Sequence, residues 1–560
     1  MLAKHSTNTI LRFLLVISMV VLINQLFGIF NYRWDLTEEK RFTLHPVTEE
    51  IIENLDQPVM IEVYLEGELP SNFQRFRQAI RQTLEQFTFL GGTNIQFKFT
   101  DPSSAKSSQS RNQFYRQLIE AGIQPSNVAY TKDGQKTEKL LFPGAIVSYQ
   151  GQERAVTLLK GNRAMSIEEM LNRSAENIEY ELASVISELS QPNPRRVAIV
   201  TGHDEPDGTE LAGLSNAVLA KYDLFRLDLP NRSTPITGYD AIILTKPRST
   251  FSEKEKFYLD QYIMNGGNLL VFINALSVEL SQAEGEGTAA IPYELNLEDL
   301  LFKYGVRINR NYVADVNCAT TPVYAGEVGD QPRLEMLPWP YFPVVTNYTE
   351  HPIVKNLDAT LFRFTSSMDS VKAVGISKTP LFHTSANSKV MSSPVKVSYN
   401  DLQDKLKPEA FNSGPKVLGY LLEGQFTSLY KNRFPPRGVD KTDVLTDGKT
   451  EAKIVVVADG DFIRNDFSME NQNALPMGMD PYTQTSYANE AFVMNTLDYM
   501  FDDSELMESR NKQIKIRPLD KARVSEDRDF WQWINIVGPL SLLVLFGIIK
   551  SIIRKKGLVS

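Results

Sequence analysis

Cysteine is nearly absent: among 560 residues only Cys318 carries a thiol. Neither an intramolecular disulfide nor a thiolate zinc cluster can form, and one cysteine suits a cytoplasm or a bacterial periplasm equally. Histidine is scarce too, and His5, His45, His203, His351 and His383 are scattered without ligand spacing. No GxxxxGK[ST] occurs and no GxGxxG opens a helix after a strand, so nucleotide hydrolysis and dinucleotide binding lack support. GxSxG and HExxH are missing as well. Positive charge is short. The formal net charge is -9, and six of the basic residues (Lys4, Arg12, Lys550, Arg554, Lys555, Lys556) sit at the two ends, which leaves the body more acidic still. Such a body repels phosphate backbones, so nucleic acid is not an expected partner. Repeats and long Pro, Ser or Gly tracts are lacking. With 42% hydrophobic and 23% charged residues, the chain has a globular composition, and its length fits about three domains.

What is present begins with two apolar runs. Phe13 to Phe30 holds 18 residues without a charge, enough to cross a hydrocarbon core of about 30 Å. Lys4 and Arg12 precede it, which points the amino terminus to the cytoplasm. The competing reading is a cleaved signal peptide, but no small-x-small site follows; the chain continues Asn31-Tyr32-Arg33-Trp34-Asp35. Trp531 to Ile549 is the second run, with Trp531 and Trp533 at an aromatic belt and Gly538-Pro539 expected to kink or loosen its entry. Lys550, Arg554, Lys555 and Lys556 then place this end in the cytoplasm also. The alternative is a buried terminal helix. Arg33 and Trp34 suit the membrane interface of the first span, as Trp531 and Trp533 suit that of the second. Neither span carries an ionisable side chain, so both read as anchors rather than as an ion path.

The expected organisation is a cytoplasmic terminus (1–12), a span (13–30), and a periplasmic α/β domain with a connector helix (31–190). A larger α/β domain (191–505) with a β-rich insertion at about 320–440 follows. A basic juxtamembrane segment (506–530), a span (531–549) and a cytoplasmic tail (550–560) complete it. In the first domain, VMIEVYL from Val59 and Ile95 to Phe99 read as strands around a helix from Phe73 to Phe89. Further strands are expected at 127–130, 140–150 and 154–158, with a turn at Gln150-Gly151, before a long helix from Ser166 to Leu189. In the second domain, Arg196–Thr201, Tyr239–Thr245, Asn268–Asn274 and Lys453–Ala458 read as buried strands of a doubly wound parallel sheet. Ser252 and Glu255 have the spacing of a capping box, and Gly266-Gly267 ends that helix.

Two turns after buried strands hold the chemical candidates. His203, beside Asp204 and Glu205, offers acid-base or ligand-binding groups at a strand's carboxyl end, where open sheets bind ligands. Its plainer reading is a polar turn made tight by Gly202. Asp459 and Asp461 could hold a divalent cation or simply shape an Asp-Gly turn. Cys318 lacks a histidine partner or helix amino terminus that would activate it. These residues amount to possible ligand or partner contacts at His203, Asp204, Asp459 and Asp461. No catalytic, cofactor or metal site is assigned, and no cofactor is expected.

The run YRWDLTEEKRFTL, the strand PVMIEVYLEGELP, RRVAIVTGHDE, YDAIILTKP with GGNLLVFIN, and DLLFKYGVRINRNYVAD follow in an order that resembles the gliding-associated auxiliary proteins of ABC transporters in the Bacteroidota. The resemblance spans nearly the whole chain. It implies a non-catalytic subunit of the inner membrane that works beside a multi-spanning permease and a separate cytoplasmic ATPase. Membrane lipid, and envelope or cell-wall components, would be its other contacts. It also implies a thioredoxin-like first domain and a second domain similar to class I glutamine amidotransferases. Those enzymes place a nucleophilic cysteine after a central strand, where this chain has Asn274-Ala275-Leu276; the departure argues against amidotransferase activity. Two other readings stand beside the accessory one. A solute receptor would need a cleft with convergent polar groups between the α/β domains. An envelope hydrolase would depend on His203 or Asp459.

Overall fold

The computed structural model describes residues 43–511 apart from short breaks, a few positions between 15 and 22, and residues 527–556. Most of the expected span Phe13–Phe30, the interface residues Arg33 and Trp34, and the basic run after Asn511 lie outside the described residues. Two compact units divide the chain, one to Lys512 and one from Gln513.

The first domain builds a four-stranded sheet in the order β2-β1-β5-β6, from β1 (Val59–Val63), β2 (Ile95–Phe99), β5 (Gly144–Tyr149) and β6 (Gln152–Thr157). β1 and β2 run parallel; β5 is antiparallel to β1, and β6 to β5. A separate hairpin, β3 (Ser126–Lys132) and β4 (Gln135–Leu141), precedes β5. Alternation sets these faces: Val59, Ile61 and Val63 are buried, while Met60 is exposed. Pro143 separates β4 from β5, which splits the single strand expected at 140–150. The turn at Gln150-Gly151 forms with φ of 51° and 82°, the positive pair a two-residue hairpin needs.

Helix α1 (Pro46–Glu53) and helix α2 (Ser71–Gly91) cover one face. α2 buries Phe73, Phe76, Ile80, Leu84 and Phe87, a stripe at helical spacing. Helix α3 (Ser108–Glu120), absent from the sequence expectation, buries only Leu118 and is fixed at its start by Ser107, whose hydroxyl accepts from Ser110 N at 3.0 Å. Helix α4 (Ile167–Ser190), expected as a connector, is a core element: Leu171, Ile178, Leu182, Ala183 and Ile186 pack with β1 and α2. Leu506 and Met507, far along the chain, join the same core.

In the second domain β7 (Arg196–Thr201), β8 (Asp223–Asp228), β9 (Ala241–Thr245), β10 (Asn268–Phe272) and the strand Ala452–Val457 are all parallel, in the order β8-β7-β9-β10-(452–457). The strand Val417–Gly424 adds antiparallel to the last of these and carries the sheet on into the inserted segments. Helix α5 (Ala212–Leu219) and β8 had no counterpart in the sequence reading. Helix α6 (Glu253–Met264) packs Phe257, Leu259 and Ile263 on one face, against Ala198, Ile242 and Val271. α5 and helix α8 (Asn489–Phe501), the latter following helix α7 (Glu298–Tyr304), pack Leu214, Phe492 and Leu497 on the other, against Val197, Ile243 and Leu270. Burial on both faces explains why these strands are apolar at consecutive positions rather than alternating. The insertion includes a long hairpin, Cys318–Val328 with Gln331–Val345, and an aromatic core of Tyr312, Trp339, Tyr341 and Phe364.

In the second unit, helix α9 (Arg528–Lys556) includes a 23-residue stretch, Arg528–Lys550, of mean hydropathy 1.8, long and apolar enough to cross a membrane. Trp531 and Trp533 are exposed on it, and Pro539 lies inside it without interrupting the helix.

Candidate functional site

Parallel strands deliver their carboxyl ends to one edge of the sheet, and chain order reverses beside β7, between β8 and β9. Such a reversal opens a crevice where α/β sheets place ligands. Here the edge beside β7 is filled by the protein's own side chains, and a small cavity of about 60 Å³ opens after β10, at Ile273 and Asn274. Gly202 follows β7 with φ of +111°, and a Cβ there would lie 2.6 Å from the Pro230 ring, so only glycine fits the turn. Asp204, at φ 55°, continues in the left-handed region and is exposed.

Between them His203 turns inward, 1% exposed, and its ring stacks on Phe251 at 3.6 Å between centroids and 7° between planes. His203 Nε2 lies 3.4 Å from Glu255 Oε2, and Nδ1 lies 3.5 Å from Glu205 Oε1. Glu255 is the third-position acid of the capping box on α6, as its spacing from Ser252 predicts; it accepts from Ser252 N at 2.5 Å. One carboxylate therefore caps a helix and faces the imidazole. Burial opposes charge on His203, but the hydrogen bonds and charges of Glu205 and Glu255 outweigh it and raise the imidazole pKa. The same environment lowers that of Glu255: desolvation acts against it and is overcome by Ser252 and His203.

The second group collects at the ends of β9, β10 and the strand Ala452–Val457. Lys246, left-handed at φ 48°, places Nζ 2.5 Å from Asp461 Oδ1. Arg464 Nη1 donates to the same oxygen at 2.7 Å, and Asn274 Nδ2 donates to Asp461 Oδ2 at 3.0 Å. Asn274 Oδ1 accepts from Gly460 N, while Asp459 accepts from Arg363 N at 2.6 Å and from Asp461 N at 2.7 Å. Arg363 and Arg464 are held in turn by Asp466 at 2.5 Å and Glu210 at 2.7 Å. Burial disfavours charge on both central carboxyls. On Asp461 the cations of Lys246 and Arg464 overcome it, and its pKa falls. Burial and the neighbouring Asp461 charge push Asp459 up. The group is a self-neutralising ion network with a backbone approach at its centre: a Cβ on Gly460 would lie 2.5 Å from Lys246 Cγ.

Asp459 and Asp461 thus meet, whereas His203 belongs to a separate network; among the described residues no hydrogen bond or ion pair joins the two. Lys246, Asn274, Arg363 and Arg464 were missed in the sequence. For Lys246 and Asn274 a signal existed, since each is the first or second polar residue after an apolar strand at this edge. Among the described residues no group of three or more His, Cys, Asp or Glu gathers to hold a metal. Burial, then the charge of Asp315, pushes the Cys318 thiol up to about 12, far from a nucleophilic thiolate at neutral pH.

A different environment lies between the first domain and the sheet domain. A cleft of about 760 Å³ opens there and continues, through shared residues, into a second of about 310 Å³. Asp498 of α8 sits in the wall common to both, accepting from Lys221 Nζ at 2.9 Å, from Tyr180 Oη at 3.4 Å, and from Tyr222 Oη. Desolvation opposes the Asp498 charge, but Lys221 and Tyr222 hold its pKa below the usual carboxylate range. Tyr180 comes from α4, so the pair bridges the two domains.

Residues 194–496, more than half of the chain, match the family described as an ABC-type uncharacterized transport system. The chain belongs to that family. Residues 38–148 match a domain of unknown function (DUF7088). An uncharacterized protein of Borreliella burgdorferi (strain ATCC 35210 / DSM 4680 / CIP 102532 / B31) is 21% identical over 446 residues, covering 77% of this chain and 80% of the relative. Among solved structures, the mmIFT52 N-terminal domain covers 54% of this chain and 96% of its own at 13% identity and a TM-score of 0.31, a likeness too slight to carry an argument. The family match encloses both edge networks. Tyr180, Asp498 and the residues beyond Asp498 fall outside both matched ranges.

Proposed function

We propose that this chain is a membrane-anchored, non-catalytic accessory subunit of an ABC-type transport system, working beside a multi-spanning permease and a separate ATPase. The match of residues 194–496 to the transport family carries this reading. It is supported by an apolar helix of spanning length at the carboxyl-terminal end and by edge networks whose charges are consumed internally. The finer reading is an inner-membrane protein with both termini cytoplasmic and a periplasmic body serving gliding motility. It rests on the two apolar runs with their basic flanks and on the sequence resemblance. A thioredoxin-like reading of the first domain is supported by the order β2-β1-β5-β6 with only β1 and β2 parallel. The order β8-β7-β9-β10 supports an amidotransferase-like one for the second. A hydrolase centred on His203 is disfavoured, because a ring stacked on Phe251 and 1% exposed offers substrate no approach.

The test is affinity purification of the full-length chain in mild detergent beside a version truncated before Phe530. A permease and an ATPase retained by the full chain and lost on truncation support the reading; a chain that purifies alone in both forms sinks it. One observation favours a second reading, a solute receptor: the cleft between the domains is lined by convergent polar groups, as that reading requires.

A further inference from the structure

Nearly every charged group at the sheet edge has its counter-charge, and so do most of those in the cleft. Lys160 pairs with Glu181 at 2.6 Å, Arg154 with Glu188 at 3.1 Å, and Lys221 with Asp498 at 2.9 Å. Arg510 does not fit this pattern. It lines the 760 Å³ cleft, is 7% exposed, and among the described residues its Nε and Nη1 have no hydrogen-bond partner. Its Nη2 reaches only the Lys355 carbonyl, at 3.5 Å, and its guanidinium stands 5.2 Å from the Tyr180 ring centroid. A guanidinium cannot shed its proton, so it cannot escape the cost of burial by neutralising itself. Leaving such donors unmade is expensive, and folded chains keep few of them. The neighbouring acid cannot serve, because Asp498 is already satisfied by one lysine and two tyrosines.

We propose that the cleft between the two α/β domains is a binding site for a small solute bearing an anionic group, carboxylate or phosphate, and that Arg510 is the residue that takes the anion. Tyr180 gives the site its floor. One side of its ring lies beneath the guanidinium, and its hydroxyl leads to Asp498, so cation and acid are held apart by a rigid aromatic body. The volume is in the range of small-molecule sites, and the walls come from both domains, a common location for them. Arg510 lies in the last turn of the segment Leu506–Asn511, which precedes α9 in sequence. The site stands apart from the transport reading: copurification could fail with the site intact, and the site could fail with the complex intact.

The experiment is calorimetric titration of the full-length chain in detergent with inorganic phosphate and, separately, with succinate, in a low-salt buffer. At least one anion binds the wild type saturably. Arg510→Gln weakens that binding about tenfold or more, as loss of a charged hydrogen-bond donor should, while Arg226→Gln, at an exposed position outside the cleft, leaves it unchanged. A second readout separates recognition from structure. Without added anion, Arg510→Met unfolds at a temperature no lower than the wild type, because an uncompensated buried charge is replaced by an apolar chain of similar length. Absence of saturable binding by either anion overturns the proposal. So does undiminished binding in Arg510→Gln, or an anion-free Arg510→Met that melts well below the wild type.

Discussion

The sheet edge and the interdomain cleft are both polar and both built on the ends of secondary-structure elements, yet they dispose of charge in opposite ways. At the edge, Asp461 receives Lys246, Arg464 and Asn274, so both buried cations beside it have their counter-charge. In the cleft, space is left open and one guanidinium is left without a carboxylate among the described residues. Position in a fold is thus a poor guide to function by itself. The topological reversal that other α/β proteins use for ligands is here spent on joining strands to one another. The place with room and uncompensated charge lies where two domains meet.

This contrast can be broken most forcefully at its closed side. Asp461→Asn strands Lys246 and Arg464 in a buried site and is expected to cost about 3–5 kcal/mol, measured by urea unfolding of the full chain. A loss under 1 kcal/mol would mean the edge is open and hydrated after all. Gly202→Ala forces a side chain into a +111° turn against Pro230 and should cost about 2 kcal/mol; an unchanged melting temperature would count against the tight turn that buries His203. The third test uses pH. The folded His203 pKa is raised by Glu205 and Glu255. The protonated ring therefore stabilises the fold below the ordinary histidine value, and that contribution is lost as pH rises through the folded value. The stability gap between wild type and His203→Asn should be wider at pH 5.5 than at pH 8.5, and a gap that widens with alkalinity would reverse the assignment. Smallest of all, Arg307→Ala removes the exposed pair with Asp369, 2.7 Å long and half in solvent on both sides, and should change stability by about 1 kcal/mol or less.

Sequence legibility followed burial. Four parallel strands of the large sheet, β7, β9, β10 and Ala452–Val457, read clearly because both faces are covered, and Ser252 with Glu255 announced α6 by spacing alone. β8 escaped because it is an edge strand on which only Leu227 is buried. α3 escaped because it turns one buried residue inward and so shows no stripe. Among the site residues, Asp459 and Asp461 were visible as a turn after an apolar strand. Their partner Arg363 was not, since it arrives from nearly 100 residues away, and Arg510 read as one charge in a basic juxtamembrane run. Its meaning depends on what it lacks in three dimensions, a property that no local pattern encodes.

The seating of Leu506 and Met507 among Leu44, Ile52 and Leu182 has a mechanical consequence. The polypeptide enters the first domain near Leu44 and leaves through it again near Met507, so the sheet domain is an excursion whose two stems start and finish in one core. A pull on either end of the body is therefore borne first by that core, before it reaches the large sheet.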